Sequence, residues 1–272
     1  MTSRKSASKI TVRTLRRMHR DQEKITALTA YDAWMAKLSE EAGVHLLLVG
    51  DSLGMTMLGY KTTIPVTLEQ SLHHTAAVAR GATRPLIVGD MPFLTYHCSE
   101  EQALSNAGRY LQEAGADAVK LEGGQSMAST VRRLVNAGIP VLGHVGILPQ
   151  SILAEGGYRV HGRTAEEAAS LTADVEALQD AGAFAVVFEG MPTELSRRLT
   201  ESLSIPTIGI GAGPHCSGQI QVAHDILGLN PDFCPRHAKQ YAQLGEAMQS
   251  AIGEYRREVA DGTFPGADQS FE

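Results

Sequence analysis

Short apolar runs alternate with amphipathic segments along almost the whole chain. Four of the runs are nearly continuous: 44–50 (VHLLLVG), 117–123 (DAVKLEG), 140–145 (PVLGHV) and 184–190 (FAVVFEG). Runs of this length, rich in β-branched and large apolar residues, suit strands buried on both faces of a parallel sheet. An Ala-Gly pair lies just before each, at Ala42-Gly43, Ala114-Gly115, Ala137-Gly138 and Ala181-Gly182. A helix-like segment precedes every pair, and glycine readily takes the left-handed conformation that stops a helix. Runs at 25–30, 85–90 and 206–211, with a weaker one at 221–227 (QVAHDIL), bring the strand candidates to about eight.

Helix starts agree with this division. Thr67 with Gln70, Ser99 with Gln102 and Thr164 with Glu167 each have the spacing of a capping box, in which a hydroxyl and a Glu or Gln side chain satisfy free backbone N–H groups reciprocally. Strands and helices alternating this often imply a parallel sheet with right-handed crossovers. Such a sheet closes as an eight-fold barrel or stays open as a doubly wound sheet. The nearest approach to a dinucleotide-binding G-x-G-x-x-G is Gly209-Ile-Gly211-Ala-Gly213-Pro214, which comes late and carries proline in the third glycine's place. The pattern therefore favours an α/β fold, a (β/α)8 TIM barrel. It is expected to form one domain over 1–272, with a short basic N-terminal tail and an irregular C-terminal tail.

Composition narrows the function. The apolar fraction of 43% and charged fraction of 20% describe a globular protein with a sizeable core. With 24 basic and 30 acidic side chains the formal charge is −6, which argues against a dedicated nucleic-acid partner. No apolar run approaches the roughly 20 residues that cross a bilayer, so no membrane association is expected. Cys98, Cys216 and Cys234 are odd in number and far apart, as free thiols in a reducing cytoplasmic compartment would be. The N-terminus lacks the apolar stretch of a secretory signal. The acid-poor segment 11–20 has some of the composition of a transit peptide, but a solvated basic helix at the edge of the domain is the favoured reading.

In a barrel of this kind the chemistry sits at the carboxyl ends of the strands. That is where polar residues interrupt the apolar runs: Asp51 and Ser52, then Asp90, Lys120 and Glu122, His144, and Glu189. Singly, each has an ordinary explanation. An aspartate after a strand commonly caps the next helix, Lys120 and Glu122 point to one side of a strand and could neutralise each other, and a lone histidine is more often a core residue. Together they would converge on one mouth, and a buried charge must be paired or bound to a metal. Two carboxylates without a histidine pair suit a hard, oxygen-preferring ion such as Mg²⁺. Zinc is disfavoured because HExxH and paired-cysteine motifs are absent. The adjacent His73 and His74 would face about 100° apart on a helix and cannot clamp one ion.

Several segments resemble one family when taken in order. They are Leu28 to Asp32 (LTAYD), Val49 to Gly54 (VGDSLG), Val119 to Gly124 (VKLEGG), Gly143 to Gly146 (GHVG), Pro149-Gln150-Ser151, Gly156-Gly157-Tyr158, Gly209 to Gly213 and the stretch from Tyr255 to Pro265. The chain resembles the ketopantoate hydroxymethyltransferase family from about residue 10 onward. The resemblance implies a barrel of the phosphoenolpyruvate/pyruvate type. It also implies transfer of a hydroxymethyl group from 5,10-methylenetetrahydrofolate to the branched α-keto acid 3-methyl-2-oxobutanoate, giving 2-dehydropantoate on the way to pantothenate. By the same resemblance, Asp51, Asp90 and Glu122 form the Mg²⁺ site. Asp51, Ser52, Asp90 and Lys120 hold the keto acid, Glu189 is the base, and His144 lies near the new hydroxymethyl group. A large ring-like homo-oligomer of about ten chains is the implied assembly. The sequence departs from the family pattern at His161, where glutamine is expected, and at Ser217, where aspartate is expected.

The chemistry is coherent with those roles. A divalent ion chelated by an α-keto acid stabilises the enolate that forms when the neighbouring C–H breaks. Glu189 follows the apolar run 184–188, where desolvation would make it a better base. Three other readings remain: Lys120 as a Schiff-base nucleophile, a carbon–carbon lyase on the same barrel, and a keto-acid binder without turnover. The lyase reading is weakened because Cys98 and Cys216 precede serine rather than glycine.

Overall fold

In the computed structural model, which describes residues 8–271, the apolar runs become the staves of a closed barrel. The strands are β1 (Ile25–Thr29), β2 (Leu46–Val49), β3 (Leu86–Asp90), β4 (Ala118–Lys120), β5 (Val141–Gly146), β6 (Ala185–Glu189), β7 (Thr207–Ile210) and β8 (Gly218–Gln221). Every strand pairs in parallel with its sequence neighbours, and β8 pairs with β1. A parallel barrel buries its strands on both faces. β2, β3 and β4 are buried at every position, which is why their sequences do not alternate.

The helices lie where the stops and caps require. Gly43, Gly115, Gly138 and Gly182 all take positive φ, between 71° and 98°, just past the helices Ala33–Glu41, Glu100–Gln112, Ala128–Asn136 and Ala165–Asp180. Of the three expected capping boxes, only that of Thr67 and Gln70 is reciprocal. Ser99 and Thr164 cap their helices, but Gln102 reaches back to the N–H of Cys98, and Glu167 to those of Gly162 and Arg163. The basic segment forms the helix Val12–Arg20. Its arginines face solvent while Leu15 and Met18 are buried. The basic residues up to position 7 lie outside the described residues. Among those described, no helix is long and apolar enough to cross a membrane, and the three cysteines are free.

The eighth strand differs from its expected place. It is Gly218–Gln221, not 221–227, and Ala223–Ile226 is a helical turn. Closure of the barrel explains this. A Cβ at Gly218 would come within 2.3 Å of the Ile25 carbonyl oxygen and 3.0 Å of Ile208. The residue that closes the ring is therefore glycine, and no apolar run marks it. The chain divides into two compact units, Met1–Val222 and Ala223–Glu272. The first contains the whole barrel. The second contains the helix Leu244–Asp261, stopped by Gly262 in the left-handed conformation, and a 3₁₀ turn at Ala267–Gln269 within the expected irregular tail.

Candidate active site

The carboxyl ends of the strands enclose a cavity of about 80 Å³. Asp51, Ser52, Asp90, Lys120, Glu122, His144 and Glu189 all line it, so every residue singled out from the sequence comes to one place. All but Ser52 and Glu189 are buried. A larger cleft of about 590 Å³ opens at the amino ends of the strands, beside His19, Lys24, Arg197 and Ser217. Two of its cations are already engaged: Arg197 pairs with Glu194 and Glu201, and Lys24 donates to the Cys216 carbonyl at 2.6 Å.

Strand register builds the electrostatic centre. Asp90 and Lys120 are partners across β3 and β4, and the ammonium donates to both carboxylate oxygens at 2.8 and 3.0 Å. Lys120 is also 3.6 Å from Glu122. Its main partner is therefore across the sheet rather than two residues along its own chain. Neither aspartate caps a helix. The Asp51 backbone N–H donates to Asp90 Oδ2 at 3.2 Å, and Asp51 Oδ2 accepts from Gln150 Nε2 at 2.9 Å. Gln150 also donates its own backbone N–H to Glu122 Oε2 at 3.1 Å. Among the described residues no three His, Cys, Asp or Glu side chains form a ready protein-only metal site.

His144 stands between two carboxylates. Its Nδ1 is 3.5 Å from Glu122 Oε1 and its Nε2 is 3.2 Å from Glu189 Oε2. Neither contact is aligned as a hydrogen bond, so both ring nitrogens and Glu122 Oε1 are buried without a hydrogen-bond partner. This is not the satisfied core histidine of the ordinary reading. Buried polar atoms left in this state are costly unless a ligand completes them. Glu189 keeps 19% of its side-chain surface exposed, so the desolvation expected from its apolar run is incomplete.

Charge shifts the protonation of the whole group. Burial, then the nearby Asp90 and Glu122, push the Asp51 carboxyl up to about 8. Burial also raises Asp90, against the pull of Lys120. Burial would lower Lys120, but Asp90, Glu122 and Asp51 together hold its pKa above the ordinary lysine range. Burial and Lys120 would likewise lower His144, but Glu122 and Glu189 outweigh them and raise it to about 9. The cavity thus gathers three buried carboxyl groups around one ammonium and an imidazole whose pKa its carboxylate neighbours raise.

Residues 9–267 match the sequence profile of ketopantoate hydroxymethyltransferases. The chain belongs to that family. A 3-methyl-2-oxobutanoate hydroxymethyltransferase from Chloroflexus aurantiacus is 55% identical over 262 residues, spanning 96% of this chain and 92% of its own. One from Syntrophus aciditrophicus is 50% identical over 271 residues and the full length of both chains. Among solved structures, 2,3-dimethylmalate lyase, a phosphoenolpyruvate mutase/isocitrate lyase superfamily member, superposes with a TM-score of 0.61 at 18% identity, covering 96% of this chain and 91% of the other. At that identity the likeness is one of fold. The chain is an enzyme of the ketopantoate hydroxymethyltransferase family.

Two residues of the site were not singled out from the sequence. In the sequence Gln150 stands only within a turn motif and Tyr96 in no motif, yet both are buried against the carboxylates. Neutral side chains in loops carry no charge pattern to reveal them. The one local signal is Pro149, whose fixed φ opens the 3₁₀ turn that carries Gln150.

Proposed function

We propose that this cavity enolises 3-methyl-2-oxobutanoate and passes its C3 to the methylene carbon of 5,10-methylenetetrahydrofolate, yielding 2-dehydropantoate, with Mg²⁺ as cofactor. The observation that carries this reading is the pairing of a carboxylate-rich pole at Asp51 and Asp90 with a partly exposed carboxylate, Glu189, on the same small cavity.

The donor set fits a hard divalent ion. Its ligating atoms are carboxylate oxygens, they outnumber the local cations, and Glu122 Oε1 has no hydrogen-bond partner. Asp51 and Asp90 would hold the ion, with Glu122 behind them, and substrate and water would complete its shell. When bound, Mg²⁺ supplies Lewis-acid stabilisation of the charge that develops on the keto oxygen.

The chain's own groups do the rest. Lys120 neutralises Asp90 and offers its remaining charge to the substrate carboxylate. The Ser52 hydroxyl, 2.8 Å from the Tyr31 hydroxyl, donates to the bound acid. His144, whose pKa Glu122 and Glu189 raise, lies 3.2 Å from Glu189 Oε2 and holds that side chain toward the cavity. Glu189 takes the proton from C3. The enolised carbon bonds to the methylene carbon as that carbon's bond to one folate nitrogen breaks. Water then displaces the second nitrogen and leaves its hydroxyl on the carbon, and the two nitrogens take up the proton removed from C3 and one from the water. At about 80 Å³ the cavity suits a small acid and is well below the roughly 300–1,000 Å³ of a drug-sized site. The pterin therefore meets the acid at the open end. The family's action on small molecules, the cytoplasmic setting and a homo-oligomeric assembly of about ten chains belong to the same reading.

Solvent deuterium exchange at C3 of the keto acid tests the base without folate. Glu189→Gln is expected to keep keto-acid binding while slowing exchange by about 10²–10⁴-fold, the usual contribution of positioned proton transfer. Exchange at the wild-type rate in this variant would place the base elsewhere.

A further inference from the structure

We propose that Tyr96 and Gln150 form a one-way hydrogen-bond relay that sets the orientation of the Asp51 carboxylate and thereby the affinity of the cavity for a divalent cation. The proposal rests on the metal reading above and assigns both side chains as positioning residues.

The direction of the relay follows from donor counting. A phenol has one proton and can also accept. The backbone N–H of Glu122 donates to the Tyr96 hydroxyl oxygen at 3.1 Å. The phenol's own proton has two acceptors in range, Gln150 Oε1 at 2.7 Å and the Glu122 carbonyl at 3.5 Å, and the shorter contact takes it. Gln150 Oε1 is therefore an acceptor, and its amide nitrogen must face the other way. The Met91 carbonyl demands the same orientation, because it can only accept and lies 3.0 Å from Nε2. The remaining amide hydrogen points at Asp51 Oδ2, 2.9 Å away. The Met91 carbonyl thus excludes the flipped amide, which would set one acceptor oxygen against another.

The relay ends on Asp51, and backbone N–H groups of its own residues hold the other two carboxylates. The Gln150 backbone N–H holds Glu122 Oε2 at 3.1 Å, and the Asp51 N–H holds Asp90 Oδ2 at 3.2 Å. Three separate strand ends are tied to one residue, Gln150, through its side-chain amide and its backbone N–H. Both side chains are buried, at 1% and 3% exposure, so water does not compete for these bonds. Groups that orient metal ligands in this way commonly change metal affinity by about 10–100-fold when removed.

Titrating Mn²⁺ alone into wild-type protein, Tyr96→Phe, Gln150→Leu and the double variant, with free Mn²⁺ followed by electron paramagnetic resonance, tests the relay. Each single variant is expected to bind Mn²⁺ about 10–100-fold more weakly. Because Tyr96 acts largely through Gln150, the loss in the double variant is expected to fall short of the product of the two. Tyr96→Phe removes one oxygen and keeps the ring, so it serves as the test if Gln150→Leu does not fold. Wild-type Mn²⁺ affinity in Tyr96→Phe, even with a lowered melting temperature, would overturn the relay and leave the metal reading standing. So would losses that multiply in the double variant. A wild-type protein that binds no Mn²⁺ would overturn the metal reading and the relay with it.

Discussion

Lys120 donates from one ammonium to both carboxylate oxygens of Asp90, its register partner across β3 and β4, at 2.8 and 3.0 Å. Both side chains are nearly inaccessible, at 4% and 2% exposure. Removing one member of such a pair leaves the other as an uncompensated buried charge, at a typical cost of about 3–5 kcal/mol. Lys120→Met is expected to lower the unfolding free energy by roughly that amount, measured by denaturant titration. Added Mg²⁺ is expected to restore part of the loss, because the cation replaces the missing positive charge beside Asp51, Asp90 and Glu122. A loss that Mg²⁺ leaves unchanged would place the ion elsewhere.

The same pairing bears on imine chemistry at Lys120. A Schiff-base lysine must be neutral to attack a carbonyl, and this one is held as an ammonium by Asp90, Glu122 and Asp51 against the effect of burial. Borohydride added during incubation with the keto acid is expected to leave Lys120 unmodified, as read by peptide mass spectrometry. A reduced adduct on Lys120 would favour the aldolase-like route.

Much of the fold was legible because a parallel barrel writes itself into sequence. The unbroken runs at β2 and β6 and the Ala-Gly stops at Gly43 and Gly182 each follow from a local rule. The charged strand ends Asp51, Asp90, Lys120, Glu122, His144 and Glu189 were legible for a related reason: charge at the end of an apolar run is conspicuous. β8 was misplaced because ring closure, a non-local constraint, selects Gly218 against the Ile25 carbonyl. Glu167 kept the spacing of a capping box but turned to Gly162, Arg163 and Arg159 instead, since the loop before its helix offered donors in better positions. Tyr96 and Gln150 escaped notice because their roles arise only when three strand ends meet.

Glu167 gives the protein an acid-sensitive tie. One carboxylate oxygen accepts from the Gly162 and Arg163 N–H groups at 2.9 Å each, and the other accepts from Arg159 at 2.6 Å. Arg159 first, then the Arg163 N–H, hold its pKa down to about 2 from an ordinary 4.5. A folded-state pKa below the unfolded value stabilises fully above about 4.5, and the contribution disappears as pH falls through 2. The difference in unfolding free energy between wild type and Glu167→Gln is therefore expected to be constant above pH 4.5 and to shrink below it. A difference independent of pH across that window would show that the carboxylate is not the source of the tie.

Gly146 links backbone geometry to the base. It takes φ of +97° at the end of β5, opposite Glu189 in the β5–β6 register, and a Cβ there would lie 2.1 Å from the Glu189 carbonyl oxygen. That oxygen accepts from the Ile147 N–H at 2.8 Å, so an added methyl must displace the backbone that carries Glu189. Overpacking of a buried site typically costs about 1–3 kcal/mol, and a left-handed conformation without glycine adds about 1 kcal/mol more. Gly43 provides the control: its φ is +86°, yet a Cβ there meets nothing within 4 Å. Gly43→Ala is expected to cost only the backbone strain and to leave C3 deuterium exchange at the wild-type rate. Gly146→Ala is expected to lose more stability and to slow exchange at least tenfold, a barrier higher by about 1.4 kcal/mol. Equal exchange rates in the two variants would mean that the strand-end backbone does not position Glu189 for proton removal.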